Sequence, residues 1–279
     1  MEEVRGELRD IVREARVMLT RARELGARGP VARSPAPAPA VQPAPVTESS
    51  RSARTLALPG FEEFASNRPA VPSFAPDPVA ITFEPRADLP LTLPELASAV
   101  ASCRQCGLCE TRTQTVFADG SPTARLVFVG EAPGRDEDAQ GLPFVGRAGQ
   151  LLNKMIAAID LKREEVYICN VLKCRPPENR VPAPEEVERC RPYLEQQISL
   201  VKPVLICALG LSAAQALLQT KATMSSMRGK TFFYRGVPVI PTYHPAALLR
   251  NPGLKREAWI DLQRVRDVLR ERNESAVAS

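Results

Sequence analysis

Cys103 and Cys106 form a CxxC pair, Cys174 follows an apolar run, and Cys190 comes sixteen positions later in a helical pattern. A CxxC alone admits redox, zinc and iron-sulfur chemistry. Four thiolates with no histidine nearby suit either zinc or a 4Fe-4S cluster, since both accept an all-sulfur ligand set. Of the seven cysteines, Cys169 and Cys207 fall inside apolar runs and read as core thiols, while Cys109 is placed to compete as a ligand. An odd count in a chain without a secretion signal argues against a disulfide framework and for a reducing, cytoplasmic compartment.

The other reactive candidates lie in two loops. Gly130-Glu131-Ala132-Pro133-Gly134 breaks an apolar run, then passes through Arg135, Asp136, Glu137 and Asp138 to a second glycine-rich stretch ending at Gly149. Such a loop exposes backbone amides at a sheet edge, but it is neither a Walker loop nor a dinucleotide fingerprint, and its acids disfavour phosphate. His244 is the single histidine. Lone histidines are commonly hydrogen-bonded structural residues. Here, however, Leu248 and Leu249 follow beside Arg250 between two prolines, a poor surface turn but a reasonable wedge to push between stacked bases.

Four short runs rich in Val and Ile, at residues 125–130, 166–171, 204–210 and 237–242, are predicted as buried strands. Helical patterns at 149–159, 183–200, 212–218 and 255–272 alternate with them. Alternation of this kind predicts an α/β layer fold with a mostly parallel sheet, whose carboxyl edge would carry Glu131, Asn170 and His244 together. Order is expected from Thr92, which with Glu95 forms a capping box around Leu93 and Pro94, to about residue 273, with 274–279 as a disordered tail.

Upstream, Val4, Leu8, Ile11, Ala15, Met18, Ala22 and Leu25 mark residues 1–28 as one amphipathic helix, too short to be more than marginal alone and open to a protein partner. Thirteen prolines between residues 30 and 90 make 29–91 a Pro/Ala-rich disordered linker. Residues 1–91 hold 12 basic and 12 acidic side chains, whereas 92–279 hold 25 and 20, so the net charge of +5 belongs wholly to the folded part. A polyanionic partner would find it there. No apolar run approaches 18 residues, which excludes a membrane helix, and six acids among residues 1–28 are foreign to a transit peptide. The expected state is a monomer.

Taken in order, CRQC at 103–106, GEAPGRDEDAQGLPFVGRAGQLL at 130–152, VYICNVLKCRPPENR at 166–180, ALG at 208–210 and HPAALLRNP at 244–252 resemble the family 4, or iron-sulfur, uracil-DNA glycosylases. The likeness runs from about Cys103 to Leu269. It implies a three-layer α/β/α sandwich with a short, mostly parallel central sheet, and a 4Fe-4S cluster on Cys103, Cys106, Cys174 and Cys190 in place of zinc. The implied activity is to flip uracil out of single- or double-stranded DNA and hydrolyse its N-glycosidic bond, leaving an abasic site.

Carried over by position, the resemblance implies that Glu131, Ala132 and Pro133 line the uracil pocket, Phe144 stacks on the base and Asn170 reads its pairing edge. His244 contacts O2, Glu137 guards the C5 position against thymine, and Leu248, Leu249 and Arg250 meet the DNA. Glu131 is the candidate base. Arg135, where relatives often carry an acidic or small residue, and Cys169, where others carry Thr, depart from the family pattern. Two rival readings are a covalent uracil-DNA binder and a noncatalytic iron-sulfur DNA-binding protein. The covalent binders carry an Arg-rich insertion before a histidine that this chain lacks, and the intact pocket set speaks against the noncatalytic reading.

Overall fold

A computed structural model of the chain describes residues 87–277, with side chains described to residue 273. The expected N-terminal helix and nearly all of the linker lie outside the described residues. Six strands, β1 (Asp119–Gly120), β2 (Leu126–Gly130), β3 (Tyr167–Asn170), β4 (Leu205–Leu209), β5 (Phe232–Tyr234) and β6 (Val237–Thr242), form one sheet in the order β1-β3-β2-β4-β6-β5. The four central strands run parallel, and β1 and β5 close the edges antiparallel. These edge strands escaped the sequence reading because two and three residues are too few to show a period.

The helices are α1 (Leu93–Ala101), α2 (Leu108–Thr111), α3 (Arg135–Gln140), α4 (Arg147–Ala157), α5 (Pro184–Val201), α6 (Leu211–Leu218), α7 (Met224–Met227), α8 (Pro245–Arg250) and α9 (Lys255–Val277). Central strands buried on both faces alternate between two cores. Leu126 and Phe128 pack with Leu152 and Met155 of α4 and with Leu262 and Val265 of α9. Val127 and Val129 face the opposite way, onto Leu194 and Ile198 of α5 and Ala213 and Leu217 of α6. Covered on both sides, the sheet is the middle of three layers.

At the front of this unit Thr92 Oγ1 accepts the Glu95 amide and donates to the Glu95 carboxylate at 2.7 Å, starting α1 where the sequence predicts it. At the other end α9 continues to Val277, past the expected limit of order at residue 273. Two stretches read as plain loops contain single helical turns: α3 follows Gly134, and α8 starts at Pro245, whose fixed φ suits a first helical position. Among the described residues, no helix is long and apolar enough to cross a membrane.

Candidate active site

Parallel pairing of β2 with β3 sets Gly130 opposite Asn170 at the carboxyl edge of the sheet. The ends of β2, β3, β4 and β6 open there into a cleft of about 710 Å³. Glu131, Ala132, Pro133, Glu137, Phe144, Asn170, His244 and Arg250 all line it, so two loops more than a hundred residues apart in sequence meet at one edge. Other lining residues, among them Asn179, Arg180 and Tyr243, were not anticipated. Tyr243 could have been found as the neighbour of His244 on the same strand end.

Asn170 is 2% exposed, and its Oδ1 has no hydrogen-bond partner among the described residues. An unpaired buried amide oxygen costs about 1–3 kcal/mol unless a ligand satisfies it. The approach to it is tight: a Cβ on Gly130 would stand 2.3 Å from that oxygen and 2.6 Å from the Phe144 ring. Glycine is what lets the two side chains share the pocket floor.

Phe144 has a left-handed backbone, φ 53°, which a bulky residue adopts only under constraint. The constraint is Arg163. Its guanidinium donates to the carbonyls of Pro143 at 2.6 Å and Phe144 at 3.3 Å, and is itself fixed by Asp119 at 2.7 Å and Asn153 at 2.8 Å. Sequence reasoning missed Arg163, which lies in a 3-10 turn outside every motif. The held phenyl ring lies 5.5 Å from the His244 ring, inclined by 31°.

His244 caps α8, its Nδ1 accepting the Ala246 amide at 3.1 Å. A neutral imidazole whose Nδ1 accepts must carry its proton on Nε2. The ring is half-buried because one side opens into the cleft, but protein surrounds the rest. This desolvation, reinforced by the Arg250 charge and opposed by Glu137, pushes its pKa down to about 4. At neutral pH the cleft therefore contains an uncharged N–H donor. The strand end beneath it is tied down by Asp261, which receives Thr242 Oγ1 and Arg228 at 2.8 Å each, and by Glu257, which receives Tyr243 Oη at 3.0 Å.

Two expectations need correction. Glu137 lines the cleft, but Oε1 accepts the amides of Val145 and Gly146 at 2.9 and 3.0 Å and Oε2 accepts Gly134 at 3.1 Å. With both oxygens committed to backbone, it shapes the loop and has little freedom to inspect a base. Leu248 is 0% exposed within the core that includes α4 and α9, whereas Leu249 is 39% exposed. Helical geometry in α8 turns adjacent residues to different sides, so only Leu249 is presented to a partner.

Behind β3 the cysteines converge. Cys103, Cys106, Cys109, Cys174 and Cys190 line one small cavity together with Arg112, Lys173 and Tyr193. Asp138 helps to draw the CxxC arm in, accepting the Thr113 amide at 3.0 Å, and Glu186 anchors the loop before α5 through Arg180 at 2.6 Å. Arg112 donates to Cys174 Sγ at 3.1 Å. Burial pushes the Cys106 and Cys174 thiols up, and Cys190 to about 12. Among the described residues, no three His, Cys, Asp or Glu side chains close around a single ion. The cavity is lined, among the described residues, by thiols with no imidazole or carboxylate, a donor set that suits an all-sulfur group.

A family model described as the uracil DNA glycosylase superfamily matches residues 117–263. A type-4 uracil-DNA glycosylase of Archaeoglobus fulgidus is 47% identical over 182 residues, covering 62% of this chain and 92% of the relative. One from Thermotoga maritima is 41% identical over 180 residues, 63% of this chain and 94% of the relative. A type-5 uracil-DNA glycosylase of Pyrobaculum aerophilum is 32% identical over 151 residues, 48% of this chain and 66% of the relative. The matched span holds both halves of the cleft, from Glu131 to His244, and the near full-length type-4 matches reach beyond it. The chain belongs to the uracil-DNA glycosylase superfamily, with type-4 enzymes among its relatives.

Proposed function

We propose that the protein is a DNA-repair glycosylase that receives uracil from single- or double-stranded DNA in this cleft and hydrolyses its N-glycosidic bond. The observation that carries the reading is the unpaired Asn170 Oδ1 in a cleft that also holds a neutral histidine donor. Uracil presents an N3–H donor and an O4 acceptor, which the carboxamide oxygen and nitrogen of Asn170 satisfy together. Cytosine presents the opposite pattern and leaves buried groups unpaired.

Extrusion of a base costs a few kcal/mol. Stacking on Phe144, worth about 1–3 kcal/mol, offsets it, and exposed Leu249 with Arg250 fills and grips the gap in the duplex. The C1′–N1 bond then breaks with its electron pair leaving on the uracil ring. Negative charge grows at O2, where His244 Nε2–H donates, the kind of preorganised contact worth about 2.7–4 kcal/mol in the transition state. Water adds to C1′ and loses a proton. Because Glu137 is engaged by three backbone amides, Glu131 is the cleft carboxylate left to orient that water.

Cys103, Cys106, Cys174 and Cys190 would hold the 4Fe-4S cluster, with Cys109 beside them. When bound, the cluster supplies four sulfur-iron links that tie the α1–α2 arm and α5 to the segment after β3. Protein purified without oxygen and incubated with uracil-containing oligonucleotides is expected to release free uracil. Retarded DNA without release would support the noncatalytic reading, and an adduct stable to denaturation the covalent one.

A further inference from the structure

Lys173 stands between the cleft and the cysteines. It is 1% exposed, and its Nζ donates to the Asn170 carbonyl at 2.6 Å. Its own amide donates to Cys190 Sγ at 3.4 Å, its carbonyl accepts the Val116 amide at 2.8 Å, and the residue lines the cysteine cavity. A lysine is almost never fully buried unless paired. Its partner here is the carbonyl of the residue whose side chain forms the cleft floor.

We propose that Lys173 is a positioning residue: its side chain, buried between the cleft and the cysteine cavity, ties down the Asn170 carbonyl and so holds that peptide at the depth from which the Asn170 side chain reads a pyrimidine edge. The proposal rests on the role assigned above to Asn170. Neighbouring hydrogen bonds point the same way, because Val171 and Leu172 donate to Gly130 and Glu131 at 2.9 and 3.0 Å, so a shift of the Asn170 peptide would move the pocket floor as a unit.

The test is a double-mutant cycle of Lys173→Met and Asn170→Ala in the full, cluster-loaded chain, read by iron content, single-turnover excision and inhibition by free uracil. Lys173→Met is expected to retain iron, to lose about tenfold in excision, the size of one buried hydrogen bond, and to bind free uracil correspondingly more weakly. In the double variant the loss should equal that of Asn170→Ala alone. Multiplying losses, or wild-type excision by Lys173→Met, would overturn the coupling. Wild-type excision by Asn170→Ala would overturn the reading of Asn170 itself, and the proposal with it. Should Lys173→Met not fold, Lys173→Gln carries the same cycle, judged by the same additivity.

Discussion

The cleft and the cysteine cavity lie on either side of the short segment from Asn170 to Cys174, but they are built by different means. The cleft borrows its rigidity from the parallel sheet, whose strands are buried on both faces by large cores. The Asn170 Oδ1 can stay unpaired there because that core holds it in place. The cysteine cavity has no sheet. Its walls are the α1–α2 arm, in which α2 has four residues, and one face of α5, backed by two clusters of three buried side chains each. One site is preorganised by hydrophobic burial; the other, on the proposed reading, would be completed by ligation of its cysteines.

Breaking the second site without touching the first is the sharpest use of this contrast. Cys190→Ser is expected to lose iron and lower the melting temperature by about 10 °C, several kcal/mol at about 2–4 °C per kcal/mol for a domain of this size. Cys109→Ser lines the same cavity and should leave both quantities unchanged. Iron analysis and thermal unfolding decide it, and equal loss in both variants would mean that the ligand set has been assigned wrongly. The reverse experiment is His244→Ala, which removes the proposed O2 donor from the sheet edge. It should slow single-turnover cleavage by about a hundredfold while iron content, melting temperature and affinity for uracil-free DNA hold, since phosphate contacts dominate that affinity. A parallel fall in DNA affinity would reassign His244 to shaping α8.

The same contrast explains what the sequence could show. Strand ends are legible: period and Val/Ile content mark β2, β3, β4 and β6, and parallel order then brings Glu131, Asn170 and His244 to one edge. The pocket positions were fixed more finely by resemblance than by spacing. Long-range side-chain contacts were not legible at all. Nothing local announces that Arg163 reaches Pro143 and Phe144, that Glu137 is consumed by three amides, or that Leu248 turns inward while Leu249 turns out. Nor does the spacing of five cysteines say which four ligate. Their common cavity is a product of tertiary folding.

Arg163 offers a smaller, more specific break. Arg163→Met removes charged donors from two consecutive carbonyls and frees Phe144 to leave its left-handed backbone. Part of the stacking energy goes with it, so excision is expected to fall by about tenfold. The fall should appear as weaker inhibition by free uracil with iron content unchanged. Arg163→Lys should recover only part of this loss, because one ammonium cannot serve both carbonyls and Asp119 in the fork geometry of a guanidinium.

The smallest expected effect is a pH response that is absent where an ordinary histidine would give one. His244 is held down to about 4 by desolvation, against about 6.5 in the unfolded chain. Cleavage that depends on the neutral ring should be flat from pH 8 to about 5 and decline only as pH falls through 4. Stability has the matching sign. Between pH 6.5 and 4 the unfolded chain binds a proton at this residue that the folded chain refuses, so the contribution of neutral burial is complete above 6.5 and is lost as pH falls toward 4. The melting temperature should drop by a few degrees across that window in the wild type and less in His244→Gln. A rate that climbs below pH 6.5 would show instead that the imidazolium is the working form, and that the cleft stabilises the leaving uracil with a full charge in place of a neutral donor.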